Sequence, residues 1–205
     1  ATGNAGGATP NGRDRKGTLD ASTWVHFYWI YHSAGALLRG VASPDPPTTG
    51  PNLPTGFESW SYAGAVRRSA TLASPLVGTH IVASMAYYPA RQNALTGGTS
   101  TSEATVDLSS LVPPNATATV IQMDQEATVS GGNGSATANL RYITGLNFAQ
   151  TRITAVASSA FGADTQTVLI PNLSQRVFYI LSSVAGLTHN LDLDVLGYEL
   201  PNGGK

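Results

Sequence analysis

A chain of 205 residues holds enough material for one large β domain or two small ones. Charged residues make up 11%, about half the usual share, and eleven Lys and Arg against twelve Asp and Glu leave a formal net charge of −1. That balance excludes the basic footprint of a nucleic-acid binder, and the absence of Cys excludes disulfide scaffolds, thiol catalysis and thiolate metal sites.

Residues 1–17 are mostly Gly, Ala, Asn and Thr and predict a flexible arm or linker, in which "RDRK" at 13–16, interrupted by Asp14, reads as a solvated loop. The opening residues lack the layout of a signal peptide and no run of eighteen apolar residues occurs, so a soluble chain without membrane insertion is expected. An opening residue other than Met leaves room for processing or for a longer parent. From Thr18 onward β signals recur: 23–31, 36–42, 58–70, 79–88 and 104–108, then 117–125, 138–145, 151–159, 165–171, 176–183 and 191–200. Turn chemistry separates them at "SAG" 33–35, "PDPPTTGPNLPTG" 44–56, "GGTSTS" 97–102, "VPPN" 112–115, "SGGNGS" 130–135 and "FGAD" 161–164. No helical pattern and no internal repeat competes with these. The reading is one all-β domain over 18–205, an antiparallel β-sandwich or jelly roll, with 97–102 as a crossing loop or a subdivision point.

The stretch "WVHFYWIYH", Trp24 to His32, does not alternate apolar with polar. As a strand it points Trp24, His26, Tyr28 and Ile30 one way and Val25, Phe27, Trp29 and Tyr31 the other, so both faces ask for cover. The domain's own layers are the first expectation and a partner subunit the second.

The run from Gly12 to Ala70 resembles a segment of tailed-bacteriophage fibre, neck and appendage proteins. The matches are Gly17, Leu19, Trp24, Tyr28 and Ile30, the "NLPTGF" run Asn52–Phe57, and "GAVRRSA" Gly64–Ala70. Two departures are a longer Pro-rich loop before "NLPTGF" and "SWSYAGAV" in place of a commoner basic strand entry. The resemblance implies a virion component, commonly a homotrimer, with Trp24, Tyr28 and Trp29 as candidate subunit contacts.

No G-x-S-x-G elbow and no metal-ligand spacing accompanies His26, His32, His80 or His189, so neither catalysis nor a metal or cofactor is expected. Asp192 and Asp194 share one face of a strand about 7 Å apart, where an ion or a glycosidase pair competes with the wet side of an edge strand. The alternation with Leu191, Leu193 and Val195 favours the wet side. Carbohydrate recognition uses aromatic faces beside amides, which makes Trp60, Tyr62, Tyr87 and Tyr88 candidate ligand-binding residues; packing of Trp60 and Tyr62 against the Trp24 strand is the competing reading. Asn115, Asn133 and Asn172 match glycosylation sequons that occur readily by chance in a chain rich in Ser and Thr. Together these readings predict a non-enzymatic phage structural protein. It would be a tail or neck fibre involved in attachment to a host glycan or protein, or a capsid decoration or head-fibre protein that binds other virion proteins and stabilises the shell.

Overall fold

The computed structural model describes residues 12–14, 19–70, 80–129, 134–155, 161–183 and 187–201. They form strands and connecting turns without a helix: β1 Gly12–Arg13, β2 Trp24–His32, β3 Leu37–Ser43, β4 Ser59–Arg67, β5 His80–Val82, β6 Met85–Gly98 and β7 Ala104–Asp107, followed by β8 Ala118–Val129, β9 Gly134–Arg141, β10 Ala149–Ala155, β11 Phe161–Pro171, β12 Arg176–Ser183 and β13 Leu187–Glu199. The protein is all-β, with several sheets paired antiparallel; β1 alongside β3 is a parallel pair. The chain divides into two compact units, and the division falls between Ser84 and Met85 rather than at 97–102. Unit 1 runs to Ser84 and takes in Pro113–Asn115 and the chain from Leu200; unit 2 comprises Met85–Val112 and Ala116–Glu199.

In unit 1 the strand order is β1-β3-β2-β4. Strand β2 is central, hydrogen bonded to β3 on one edge and β4 on the other. Its inward side chains His26, Tyr28 and Ile30 are buried with Val41 and Tyr62. Ala63 interrupts the β2–β4 register as a bulge. The Pro-rich loop folds over this layer. Asp45 accepts a hydrogen bond from the Tyr28 hydroxyl at its carbonyl, 2.6 Å away, and Gly50 turns at φ 75° with the Trp60 ring against it. A side chain at Gly50 would stand 2.8 Å from that ring, in a backbone conformation that L residues avoid.

Part of the expected arm is anchored. Gly12 and Arg13 pair with Val41 and Ala42, the Asp14 amide donates to the Ala42 carbonyl, and the buried Asp14 carboxylate accepts from Ser43 Oγ at 2.8 Å and the Asn52 amide at 2.6 Å. The rest of 1–17 lies outside the described residues.

Unit 2 holds the sheet β10-β9-β12-β7 and the neighbouring strands β11-β8-β13-β6 of a second sheet. The sheets face one another through Ala127, Ala136 and Ile153, and Thr151 Oγ1 donates across to Gln125 Oε1 at 2.9 Å. A turn expectation fails here, and a strand outruns its expected end. "FGAD" is the start of β11, paired with Thr128 to Gln125. Strand β6 continues beyond Tyr88 through Pro89, because its Tyr88–Arg91 stretch is a bulge against β13 where proline's missing N–H costs no ladder bond. Strand β13 is central rather than an edge, flanked by β8 and β6.

The Asp14 clasp yields a stability prediction. Asp14→Ala leaves the Ser43 hydroxyl and the Asn52 amide without this acceptor, and should cost about 2 kcal/mol, read as a melting temperature lower by about 4–8 °C. An unchanged melting temperature would show that the clasp holds nothing.

Candidate functional site

The outward face of unit 1 is the largest departure from expectation. Side chains opposite in sense to Tyr28 run Phe27, Trp29 and Tyr31 on β2, Leu38, Gly40 and Ala42 on β3, and Ser59 and Ser61 on β4. None of these positions carries a charge. Trp29 is 52% exposed, Tyr31 42% and Leu38 58%. The doubly apolar strand is therefore covered on one face by its own unit, while this other face, among the described residues, is left substantially open. Gly40 lies opposite Trp29 and Ala42 opposite Phe27, and beside these small residues is a trough of about 330 Å³ whose lining extends to Gly12 on β1 and Ala63 on β4.

The three candidate contact residues separate. Trp29 is on the open face; Trp24 is half-buried; Tyr28 is 1% exposed and its side chain belongs to the core, its hydroxyl bonded to the Asp45 carbonyl. The four candidate sugar-binding residues separate too. Trp60 and Tyr62 are in unit 1, where the Trp60 ring meets Tyr28 edge-on at 5.2 Å and the Tyr62 ring lies 5.4 Å from it. That is packing against the Trp24 strand, and it buries Tyr62. In unit 2 Tyr88 is buried, bonded to the Leu111 carbonyl and edge-on to Tyr198, while Tyr87 remains 39% exposed. Tyr62 and Tyr88 therefore offer no ring face for stacking.

Asp192 and Asp194 lie on a polar ladder across β8 and β13, in which Asp194 faces Gln122, Asp192 faces Asp124 and Asn190 faces Glu126. Asp194 is buried, within 3.3 Å of the Arg91 guanidinium and of Asn93 Nδ2, and Arg91 also reaches Asp124 at 3.1 Å. Asp192 accepts from the Gly97 amide at 2.6 Å. These carboxylates are committed to protein donors, and among the described residues no cluster of three His, Asp or Glu could hold a metal ion. The sequons divide likewise: Asn172 is tied to the Ala116 carbonyl and the Gln175 amide, and Asn133 lies outside the described residues.

His26 is 1% exposed on the inner face, its Nδ1 3.2 Å from the Tyr62 hydroxyl. Burial pushes its pKa from 6.5 down to about 4, against a smaller upward pull from the Asp45 carboxylate. Between these values an unfolded chain takes up a proton that the folded chain refuses, so stability falls as pH drops from 6.5 toward 4 and the effect levels off below. Urea unfolding followed across that window should lose about 3 kcal/mol, and His26→Gln should flatten the dependence. A wild-type profile without slope between pH 6.5 and 4 would contradict the burial of a neutral imidazole.

No family model matches the chain, and no curated protein does. Solved structures give weak likenesses. The PRD1 vertex protein P5 is 14% identical with a TM-score of 0.28, covering 51% of this chain and 86% of that one. Dimeric latent PorU from Porphyromonas gingivalis is 9% identical with a TM-score of 0.34, covering 84% and 18%. The infectious bursal disease virus Gx strain structure is 12% identical with a TM-score of 0.27, covering 90% and 57%. Likenesses at this level assign neither a family nor an activity.

Proposed function

We propose that the chain is a non-enzymatic structural protein of a tailed-bacteriophage particle, with β-sandwich architecture, built into the particle as a homotrimer through the outer face of β2, β3 and β4. The observation that carries the reading is the uncharged face around Trp29, Tyr31 and Leu38, more than two-fifths exposed at each of these residues. Large apolar side chains gathered on one flat face, with serines and a glycine between them, suit sheet-on-sheet burial against a copy of the chain. Water contact at such a face costs about 25 cal/mol for each Å² that a partner would cover. The virion assignment rests on the matched segment, whose residues have structural work in this fold. Tyr28 and Ile30 fill the core, the Asn52 amide caps Asp14, and Phe57 stacks edge-on with His32.

Within the particle the first reading is a tail or neck appendage that takes part in host attachment. Burial of Tyr62 and Tyr88 favours the second, a capsid decoration or head-fibre protein, because it removes two of the rings on which a surface glycan would stack. Labelled protein offered in parallel to host cells and to capsids stripped of minor proteins separates them. Cell binding that is lost with the surface polysaccharide supports attachment, and capsid binding alone supports decoration.

Sedimentation velocity tests the assembly itself. The wild-type chain should run at three times the 21.2 kDa subunit mass, and Trp29→Ser should weaken association by about 30-fold or more, the effect of losing a central aromatic anchor. Leu173→Ser, at an exposed leucine of unit 2, should change nothing. A wild-type monomer at all concentrations, or a trimer indifferent to Trp29→Ser, overturns the proposal.

A further inference from the structure

The Pro-rich loop over the inner face of β2 contains the chain's single Asp-Pro peptide bond, Asp45–Pro46. Three features meet at this bond. The Tyr28 hydroxyl donates at 2.6 Å to the Asp45 carbonyl oxygen, which is the acyl oxygen of the bond itself. The Asp45 carboxylate is turned inward, with Oδ2 shielded from solvent. Burial lowers the pKa of His26 and raises that of Tyr28, and the Asp45 carboxylate adds an upward pull on both, as a negative charge beside the two rings must. The backbone is anchored on either side. The Asp45 amide donates to Ser43 Oγ at 3.1 Å, and the Pro46 carbonyl accepts from the Thr49 and Gly50 amides, each at 2.9 Å.

Each feature has a role in acyl transfer. A carboxyl group that attacks the carbonyl carbon of its own residue closes a five-membered ring, so nucleophile and electrophile are already held together. A phenol donating to the acyl oxygen stabilises the negative charge that develops there, and burial keeps the Tyr28 proton in place. Proline makes the bond a tertiary amide, whose nitrogen departs as a secondary amine.

We propose that Asp45–Pro46 is a self-cleavage site, with the Asp45 carboxyl as nucleophile and the Tyr28 hydroxyl as the donor to the oxyanion. In its acid form the carboxyl oxygen bonds to the Asp45 carbonyl carbon, whose π pair moves onto the oxygen held by Tyr28. Collapse of that intermediate breaks the C–N bond, and the Pro46 nitrogen leaves with the carboxyl proton. A cyclic anhydride remains on Asp45, and one water opens it to two carboxyl groups. The break lies between β3 and β4, so the β2–β4 ladder still joins the two pieces afterwards. This processing is independent of how the chain assembles.

Incubation of the full chain in mildly acidic buffer, followed by intact-mass spectrometry, tests it. Fragments ending at Asp45 and beginning at Pro46 should accumulate about tenfold or more faster than from the same chain unfolded in urea at the same pH, which measures the intrinsic lability of an Asp-Pro bond. Hydroxylamine present during incubation should open the anhydride and leave a hydroxamate on Asp45. Tyr28→Phe should fall to the urea rate, and Pro46→Ala should also slow cleavage. Where Tyr28→Phe fails to fold, the comparison of folded with unfolded wild type still decides. Cleavage no faster in the folded chain than in urea, a wild-type rate in folded Tyr28→Phe or in Pro46→Ala, or fragments without hydroxamate overturns the proposal.

Discussion

A β-strand hydrogen bonded on both edges has only its two faces left to satisfy, and β2 is apolar on both. Its pairing with β3 and β4 fixes which side chains go where, since a shift of one residue would exchange the buried set of His26, Tyr28 and Ile30 for Phe27, Trp29 and Tyr31. The inner set is held by specific partners. Tyr28 is tied to Asp45, His26 lies beside Tyr62, and Trp60 is wedged between Tyr28 and Gly50. Those constraints lock the register and commit the outer set to the surface. The exposed aromatic face is a consequence of how well the inner one is specified, and it is the face that the proposed assembly would bury.

Charge is scarce, and unit 2 uses the little it has in local networks. Arg91 bridges Asp124 and Asp194, Arg141 meets Glu103 at 2.8 Å, and Asp107 caps the turn at Ser109. The Arg91 side chain is 60% exposed, so solvent screens its two pairs and their effect is mainly to fix local geometry.

The strands were legible in the sequence because β-branched and aromatic residues recur between Gly, Pro and Asn turns, and 176–183 coincides with β12 end for end. What escaped was set by tertiary pairing. Phe161–Asp164 has turn composition but finds a full ladder on β8, and the strand expected over 79–88 runs on through Pro89, which falls in a bulge where no N–H is required. Division of the chain at Ser84 was hidden because Ala83, at φ 54°, makes a turn that no Gly or Pro announces. The double apolarity of β2 was visible, but which face stayed open depended on the inward hydrogen bonds of Tyr28 and His26, and these involve Asp45 and Tyr62, residues 17 and 36 places away. Tyr62 and Tyr88 looked like surface aromatics for the same reason: burial is decided by neighbours that local pattern does not reveal.

The central claim is that the Trp29 face is covered by another copy of the chain. Hydroxyl-radical footprinting of the wild-type protein, read by mass spectrometry at high and low protein concentration, tests it most directly. The account predicts that Trp29 and Tyr31 are protected when the protein is concentrated and become oxidised on dilution, while exposed Tyr87 is modified equally in both. Equal oxidation of Trp29 at both concentrations would mean that the face stays open to water, and assembly through it would have to be abandoned.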